Sequence, residues 1–181
     1  MKRKMIDLKK ITTFEQEASG TCGPAALRIL LSYFKIEKNE KELAILCKTD
    51  AEGTRPKKMI AAMRKLGLKA KSGSGGTAEK AWEVLDYWTN QRKLPVLVDW
   101  FSATAPNFDG HYSVILGVTK DKVLMADPEF SEEKERIREM SWINFLKSWL
   151  DWTGDYIKTP KDIRLRWWAV AYRDEENKVK K

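Results

Sequence analysis

The stretch Gln16-Glu17-Ala18-Ser19-Gly20-Thr21-Cys22-Gly23-Pro24-Ala25-Ala26-Leu27 is a glycine-flanked turn that runs into an apolar helix, and Cys22 falls where that helix begins. The first backbone N–H groups of a helix have no internal partner and its dipole is positive there, so the position favours the thiolate, the reactive form of cysteine. Pro24 supports the placement, because proline is favoured in the first helical turn, where its missing N–H costs nothing. The bland alternative is a small buried cysteine. Beyond it, Leu27, Leu30, Leu31 and Phe34, with Ala26 and Tyr33 beside them, leave the helix apolar over more than half its circumference. Such a helix lies at the centre of a fold rather than on its edge.

A second stretch bears on the choice: Gly110-His111-Tyr112-Ser113-Val114-Ile115-Leu116-Gly117-Val118, a short loop, then Val123-Leu124-Met125-Ala126-Asp127-Pro128. It contains the only histidine of the chain. A cysteine nucleophile needs a base, and a third group must hold the imidazole in the productive tautomer, so Cys, His and Asp form the minimum set. The two runs read as a β-hairpin whose register decides whether Asp127 can serve His111. A loop of Thr119-Lys120-Asp121 sets Ser113 opposite Asp127, with His111 diagonally across on the same face, within reach of a carboxylate. A regular two-residue turn sets them on opposite faces. The pairing therefore requires an odd loop or a bulge.

The Gln-x5-Cys-Gly-Pro-Ala opening, the His-Tyr-Ser-Val-Ile-Leu-Gly run and the Ala-Asp-Pro ending resemble the C39 peptidases, papain-like cysteine proteases that process bacteriocin precursors. The resemblance spans roughly residues 11 to 130. It implies that Cys22 is the nucleophile, His111 the general base and acid, Asp127 the orienting residue, and Gln16 the side-chain donor of the oxyanion hole. The substrate it implies is a peptide or small amide.

At 181 residues and 43% hydrophobic content the chain is expected to form one domain, residues 1–181, with a substantial core. Two cysteines and one histidine cannot assemble a tetrahedral zinc site without an improbable share of carboxylates, so neither a metal nor another cofactor is expected. Cys47 lies one helical turn from Leu43 and reads as core, although sequence leaves a disulfide to Cys22 open. The basic N-terminus is not followed by the apolar run of a secretory signal, and no segment of about 20 apolar residues spans a membrane. The expected location is the cytoplasm, where thiols stay reduced. The net charge of +8 comes from lysines spread through the chain and mixed with 26 acids, with no nucleic-acid motif, which predicts a solvated surface rather than a nucleic-acid partner. Nothing in the sequence sets an oligomeric state.

Along the chain, Ile11-Thr12-Thr13-Phe14 reads as a strand delivering Gln16. Asn39 and Glu42 form a capping box that opens a helix through Cys47, and Arg55-Pro56 opens a third helix that Gly67 stops. In that helix Met59 and Met63 read as core rather than as soft ligands. Ser72-Gly73-Ser74-Gly75-Gly76 reads as a flexible connector, and Thr77 caps an amphipathic helix that ends near Lys93. Pro95 to Trp100 is a buried strand, and residues 101–110 form an aromatic loop that suggests a substrate-facing wall. Trp142, Phe145, Leu146 and Trp149 follow helical spacing, Trp167 to Tyr172 is a strand, and 174–181 a charged tail.

The expected fold is α+β and papain-like: a helical part of about 15–70 packed on a mostly antiparallel sheet of about 94–173, with the active site in the cleft between. The expected activity is a cysteine peptidase or amidohydrolase that works through a Cys22 thioester with His111 and Asp127. Two alternatives stay open, an acyltransferase or transpeptidase of the same fold and a non-catalytic peptide-binding module.

Overall fold

The computed structural model describes residues 5–102, 110–152 and 157–174. Three helices come first: α1 (Cys22–Tyr33), α2 (Glu40–Cys47) and α3 (Pro56–Lys65). The full capping box at Asn39 opens α2, whose side chain accepts the Glu42 N–H at 2.8 Å while Glu42 returns a bond to the Asn39 N–H at 3.0 Å. Leu27, Leu30 and Leu31 of α1, Leu43 and Cys47 of α2, and Met59 and Met63 of α3 are all fully buried in one core. Cys47 points its sulfur at Met59, 3.7 Å away, and both cysteines are free thiols.

The remaining helices are α4 (Ala78–Leu85), opened by Thr77 as expected, and α5 (Trp142–Ser148). A π-helical turn over Asp86–Gln91 prolongs α4, where the buried Asn90 amide donates to Asp86 and to the Val118 carbonyl. Among the described residues eight strands follow the chain as β1 (Lys69–Gly73), β2 (Val96–Phe101), β3 (Gly110–Val118), β4 (Lys122–Ala126), β5 (Ile137–Ser141), β6 (Leu150–Trp152), β7 (Ile163–Leu165) and β8 (Trp167–Tyr172). Six form an antiparallel sheet in the order β1-β8-β2-β3-β4-β5, and β6 pairs with β7 beside it. Strands β2 and β3 are buried almost throughout, as a sheet covered on both faces requires. One face carries α1, and on the other Trp100 meets Phe145 of α5 at 5.9 Å between ring centres.

Three local expectations are corrected. Ile11 to Phe14 is not a strand, because the Thr12 N–H bonds the Ser32 hydroxyl on α1 at 2.9 Å instead of a sheet edge. Ser72 and Gly73 are not connector but the end of edge strand β1, so the sheet begins well before residue 94. Glycine is required at 73 because the Trp168 indole lies where a side chain would start, 2.9 Å from an ideal Cβ. The hairpin does not use a three-residue loop: Thr119 N–H bonds the Lys122 carbonyl at 2.7 Å across Lys120-Asp121. A bulge between Ile115 and Gly117 supplies the odd residue. Residues 103–109, the core of the aromatic loop, and 175–181 of the tail lie outside the described residues.

Candidate active site

Cys22 is the first residue of α1, half-buried, with Thr21 as N-cap. Gly23 lets this end of the helix seat closely, since an added Cβ would lie 2.8 Å from Thr54 and 3.4 Å from the Tyr112 ring. Tyr112 in turn donates its hydroxyl proton to the Thr54 carbonyl at 2.8 Å, which ties β3 to the loop before α3. The start of α1 and the start of β3 are thereby locked together, which brings Cys22 close enough to His111 to help raise its pKa.

Past the bulge, Val114 pairs with Ala126, so one more residue sets Asp127 opposite Ser113 and diagonal to His111. The His111 Nε2 lies 2.6 Å from Asp127 Oδ1. With Nε2 occupied by the carboxylate, Nδ1 is the ring nitrogen left for sulfur. His111 is 3% exposed and Asp127 fully buried. Burial opposes charging the imidazole, but the charge and hydrogen bond of Asp127, joined by Cys22, outweigh it and push the His111 pKa up to about 10. Burial likewise opposes the Asp127 carboxylate, yet His111 and Arg138 hold it below the usual carboxylate range. An imidazole that stays charged through neutral pH is a proton donor already loaded and a counterion for a thiolate.

Two further residues complete the pair, and neither was found by reading the sequence. Arg138 on β5 donates to Asp127 Oδ2 from Nη2 at 2.6 Å and from Nε at 3.2 Å, and its guanidinium stacks over Phe130 at 4.7 Å. Glu129 donates its backbone N–H to Asp127 Oδ1 at 3.2 Å and brings a carboxylate oxygen to 4.0 Å from His111 Nε2. Arg138 could have been sought as an arginine on a strand facing β4, but its register with Met125 becomes known only once β5 is paired. Trp100 meets the His111 ring edge-on at 6.1 Å and bonds Ser113 Oγ through its indole N–H at 3.0 Å.

Gln16 lies beside the segment that follows Asp127. Its backbone N–H bonds the Pro128 carbonyl at 2.8 Å, next to Asp127. Its side-chain Oε1 is buried without a hydrogen-bond partner, and a half-turn of the amide would put the Nε2 donor there instead. That end of the amide is therefore not spent on a partner among the described residues. As for metals, His111, Asp127 and Glu129 bring ligand atoms within 4.8 Å of one another. Those atoms are already engaged, by the His111–Asp127 bond and by the Arg138 cation, which makes a poor cradle for another positive ion.

The model of the Peptidase C39 family matches residues 10–154. Pediocin PA-1 transport/processing ATP-binding protein PedD of Pediococcus acidilactici is 30% identical over 129 residues, 71% of this chain and 16% of PedD. Mesentericin-Y105 transport/processing ATP-binding protein MesD of Leuconostoc mesenteroides is 25% identical over 151 residues, 81% of this chain and 18% of MesD. The chain thus spans less than a fifth of the length of these relatives. Among solved structures, a double glycine motif protease from an AMS/PCAT transporter, in complex with its leader peptide, superposes with a TM-score of 0.64 at 19% identity, covering 90% of this chain and 91% of that one. The peptidase domain of Streptococcus ComA gives 0.61 at 19% identity, covering 94% and 96%. Both share the mixed helix and antiparallel-sheet architecture described above, and among the described residues no helix is long and apolar enough to cross a membrane. With the match covering most of its length, this chain belongs to the peptidase C39 family of cysteine peptidases.

Proposed function

We propose that this chain hydrolyses a peptide bond that follows a pair of small residues, glycine-glycine above all, in a leader-bearing peptide, with Cys22, His111, Asp127 and Gln16 as its working groups. The observation that carries the reading is the buried 2.6 Å His111–Asp127 pair beside a half-buried cysteine at a helix N-terminus. The glycine-glycine preference is taken from the structural relative bound to its leader peptide. In this mechanism the Cys22 thiolate attacks the carbonyl carbon, and the carbonyl electron pair moves onto oxygen. The Cys22 backbone N–H and the Gln16 amide hold that oxyanion. The His111 imidazolium gives its proton to the leaving amine as the C–N bond breaks, leaving a thioester. Neutral His111 then takes a proton from water as it attacks the thioester, and Cys22 is released with the acid product. Asp127 stays ionised throughout and keeps Nδ1 aimed at the reacting atoms. Because the nucleophile is a thiol, we assign the reaction to a reducing compartment, the cytoplasmic side of the membrane.

The test is mass spectrometry of synthetic peptides carrying one internal Gly-Gly pair, incubated with the protein and with Cys22→Ala. Cleavage after the second glycine by the first and none by the second is expected. Equal cleavage by Cys22→Ala overturns the nucleophile, cleavage only at other sites overturns the glycine preference, and capture of the acyl group by an added amine in place of water overturns hydrolysis.

A further inference from the structure

Glu40, the first residue of α2, is 2% exposed. Carboxylates are seldom buried without a cation, and among the described residues no cation pairs with this one. Helix capping does not account for it, because Asn39 and Glu42 already close the capping box. The α2 N-terminus offsets part of the burial. Among the described residues the Glu40 side chain makes one hydrogen bond, in which Oε1 accepts the backbone N–H of Glu17 at 2.9 Å, while Oε2 is buried with no partner.

That bond falls at a telling place. The N–H of Gln16 fixes the peptide plane before its Cα, and the N–H of Glu17 fixes the plane after it. The first is held by the Pro128 carbonyl at 2.8 Å, beside Asp127, and the second by Glu40. Two planes held from two different elements leave the φ and ψ of Gln16 no freedom, so the root of its side chain is fixed relative to both α2 and the aspartate strand. The side chain of Glu17 takes no part in this, since it reaches back to Arg28 at the surface at 3.4 Å. A bond to a carboxylate is shorter and stronger than one to a neutral acceptor, and an oxyanion donor must be held within about 0.5 Å to act.

We infer that Glu40 is a positioning residue for the oxyanion hole, a buried carboxylate whose task is to hold the Gln16–Glu17 peptide group so that the Gln16 amide meets the developing oxyanion. The inference rests on the proposed peptidase reading, and its test separates the two. Two probes of Cys22 differ in their need for the hole. Iodoacetamide forms an S–C bond with loss of iodide and places no charge on a carbonyl oxygen. A peptide ending in glycinal forms an S–C bond to its carbonyl carbon, and its oxygen, taking up the thiol proton or remaining an alkoxide, occupies the hole. Glu40→Met fills the same space without an acceptor. It is expected to lower kcat and weaken aldehyde inhibition by about tenfold or more, with KM and the iodoacetamide rate changed less than about twofold, since a misplaced donor acts on the tetrahedral state. Glu40→Gln keeps an acceptor for the Glu17 N–H and should recover most of the loss. In a Gln16→Ala background Glu40→Met should add almost nothing, because the donor it positions is gone. Losses that multiply in the double variant, a parallel fall in iodoacetamide labelling, or no recovery in Glu40→Gln each overturn the inference. Should Glu40→Met not fold, Glu40→Asp, charged but one methylene shorter, takes its place, and wild-type kcat in that variant is equally fatal. A wild-type protein that neither cleaves peptides nor binds the aldehyde overturns the peptidase reading instead.

Discussion

Replacing Asp127 by asparagine keeps the volume at the centre of the site and removes one charge, and its effect can be worked from the geometry. Oδ1 takes the His111 ring proton at 2.6 Å and the Glu129 N–H at 3.2 Å, while Oδ2 takes two bonds from Arg138. Asparagine offers one oxygen for all of these. Without the carboxylate the two Asp127 contributions vanish, burial is opposed chiefly by Cys22, and the midpoint should fall from about 10 toward 6.5. A fall of roughly 3.5 pH units is on the order of 5 kcal/mol at about 1.36 kcal/mol per unit. The chain has one histidine, so a ring-labelled sample gives one imidazole signal and the titration reads His111 directly. Stability should follow with a definite sign. His111 has a folded pKa above its unfolded one, so its contribution is full below about 6.5 and is lost as pH rises toward 10. Asp127 has a folded pKa below 3.8, so its contribution is full above that value and is lost as pH falls beneath it. The gap in Tm between wild type and Asp127→Asn should therefore be widest at about pH 4–6.5 and narrow on either side. Iodoacetamide labelling of Cys22 in the variant should slow at neutral pH, because the charged imidazole beside the sulfur is gone. An unmoved histidine titration in Asp127→Asn would refute the pairing and reduce Asp127 to a turn residue before Pro128.

The two thiols should separate cleanly: Cys22 is half-buried and lies beside His111, whereas Cys47 is fully buried and its thiol is pushed up to about 12 by burial. Mass spectrometry after brief alkylation near neutral pH should find label on Cys22 alone, and equal labelling of the native protein would contradict the site. Arg138→Met should lower stability by about 1–3 kcal/mol, a fall in Tm of roughly 2–10 °C, by leaving Asp127 Oδ2 unsatisfied. It should nonetheless leave His111 protonated at neutral pH, because the Asp127 charge remains, and a histidine midpoint below 7 in that variant would reassign the electrostatics to Arg138.

What the sequence disclosed divides along one physical line. Signals written within a few residues were legible: the Asn39–Glu42 capping box, the Arg55-Pro56 start and Gly67 stop of α3, and the buried run of β2 all form as expected. The trio of Cys22, His111 and Asp127 could be nominated because chemistry demands those residue types together, and the fold sets His111 2.6 Å from Asp127 with Cys22 beside it. Contacts that depend on pairing between distant strands were not legible. Gly73 reads as linker until β8 lays Trp168 across it, and Arg138 reads as a surface charge until β5 pairs with β4. Glu40 likewise reads as an ordinary first-turn acid of α2, and only the buried bond to Glu17 distinguishes it.

The bulge at Leu116 has a bearing on how such sites vary among chains. In a regular hairpin closed by two residues, partners that share a face are an odd number of positions apart, yet His111 and Asp127 are sixteen apart. The extra residue is slack. A chain one residue shorter or one residue longer here has an odd interval, so a straightened ladder presents the same histidine to the same aspartate, whereas a change of two residues keeps the need for a bulge. Tolerance to length change in this hairpin is thus a matter of parity, with odd steps in either direction removing the bulge and even steps retaining it. A search that insists on a fixed interval between the two residues would discard working sites that had merely lost the kink.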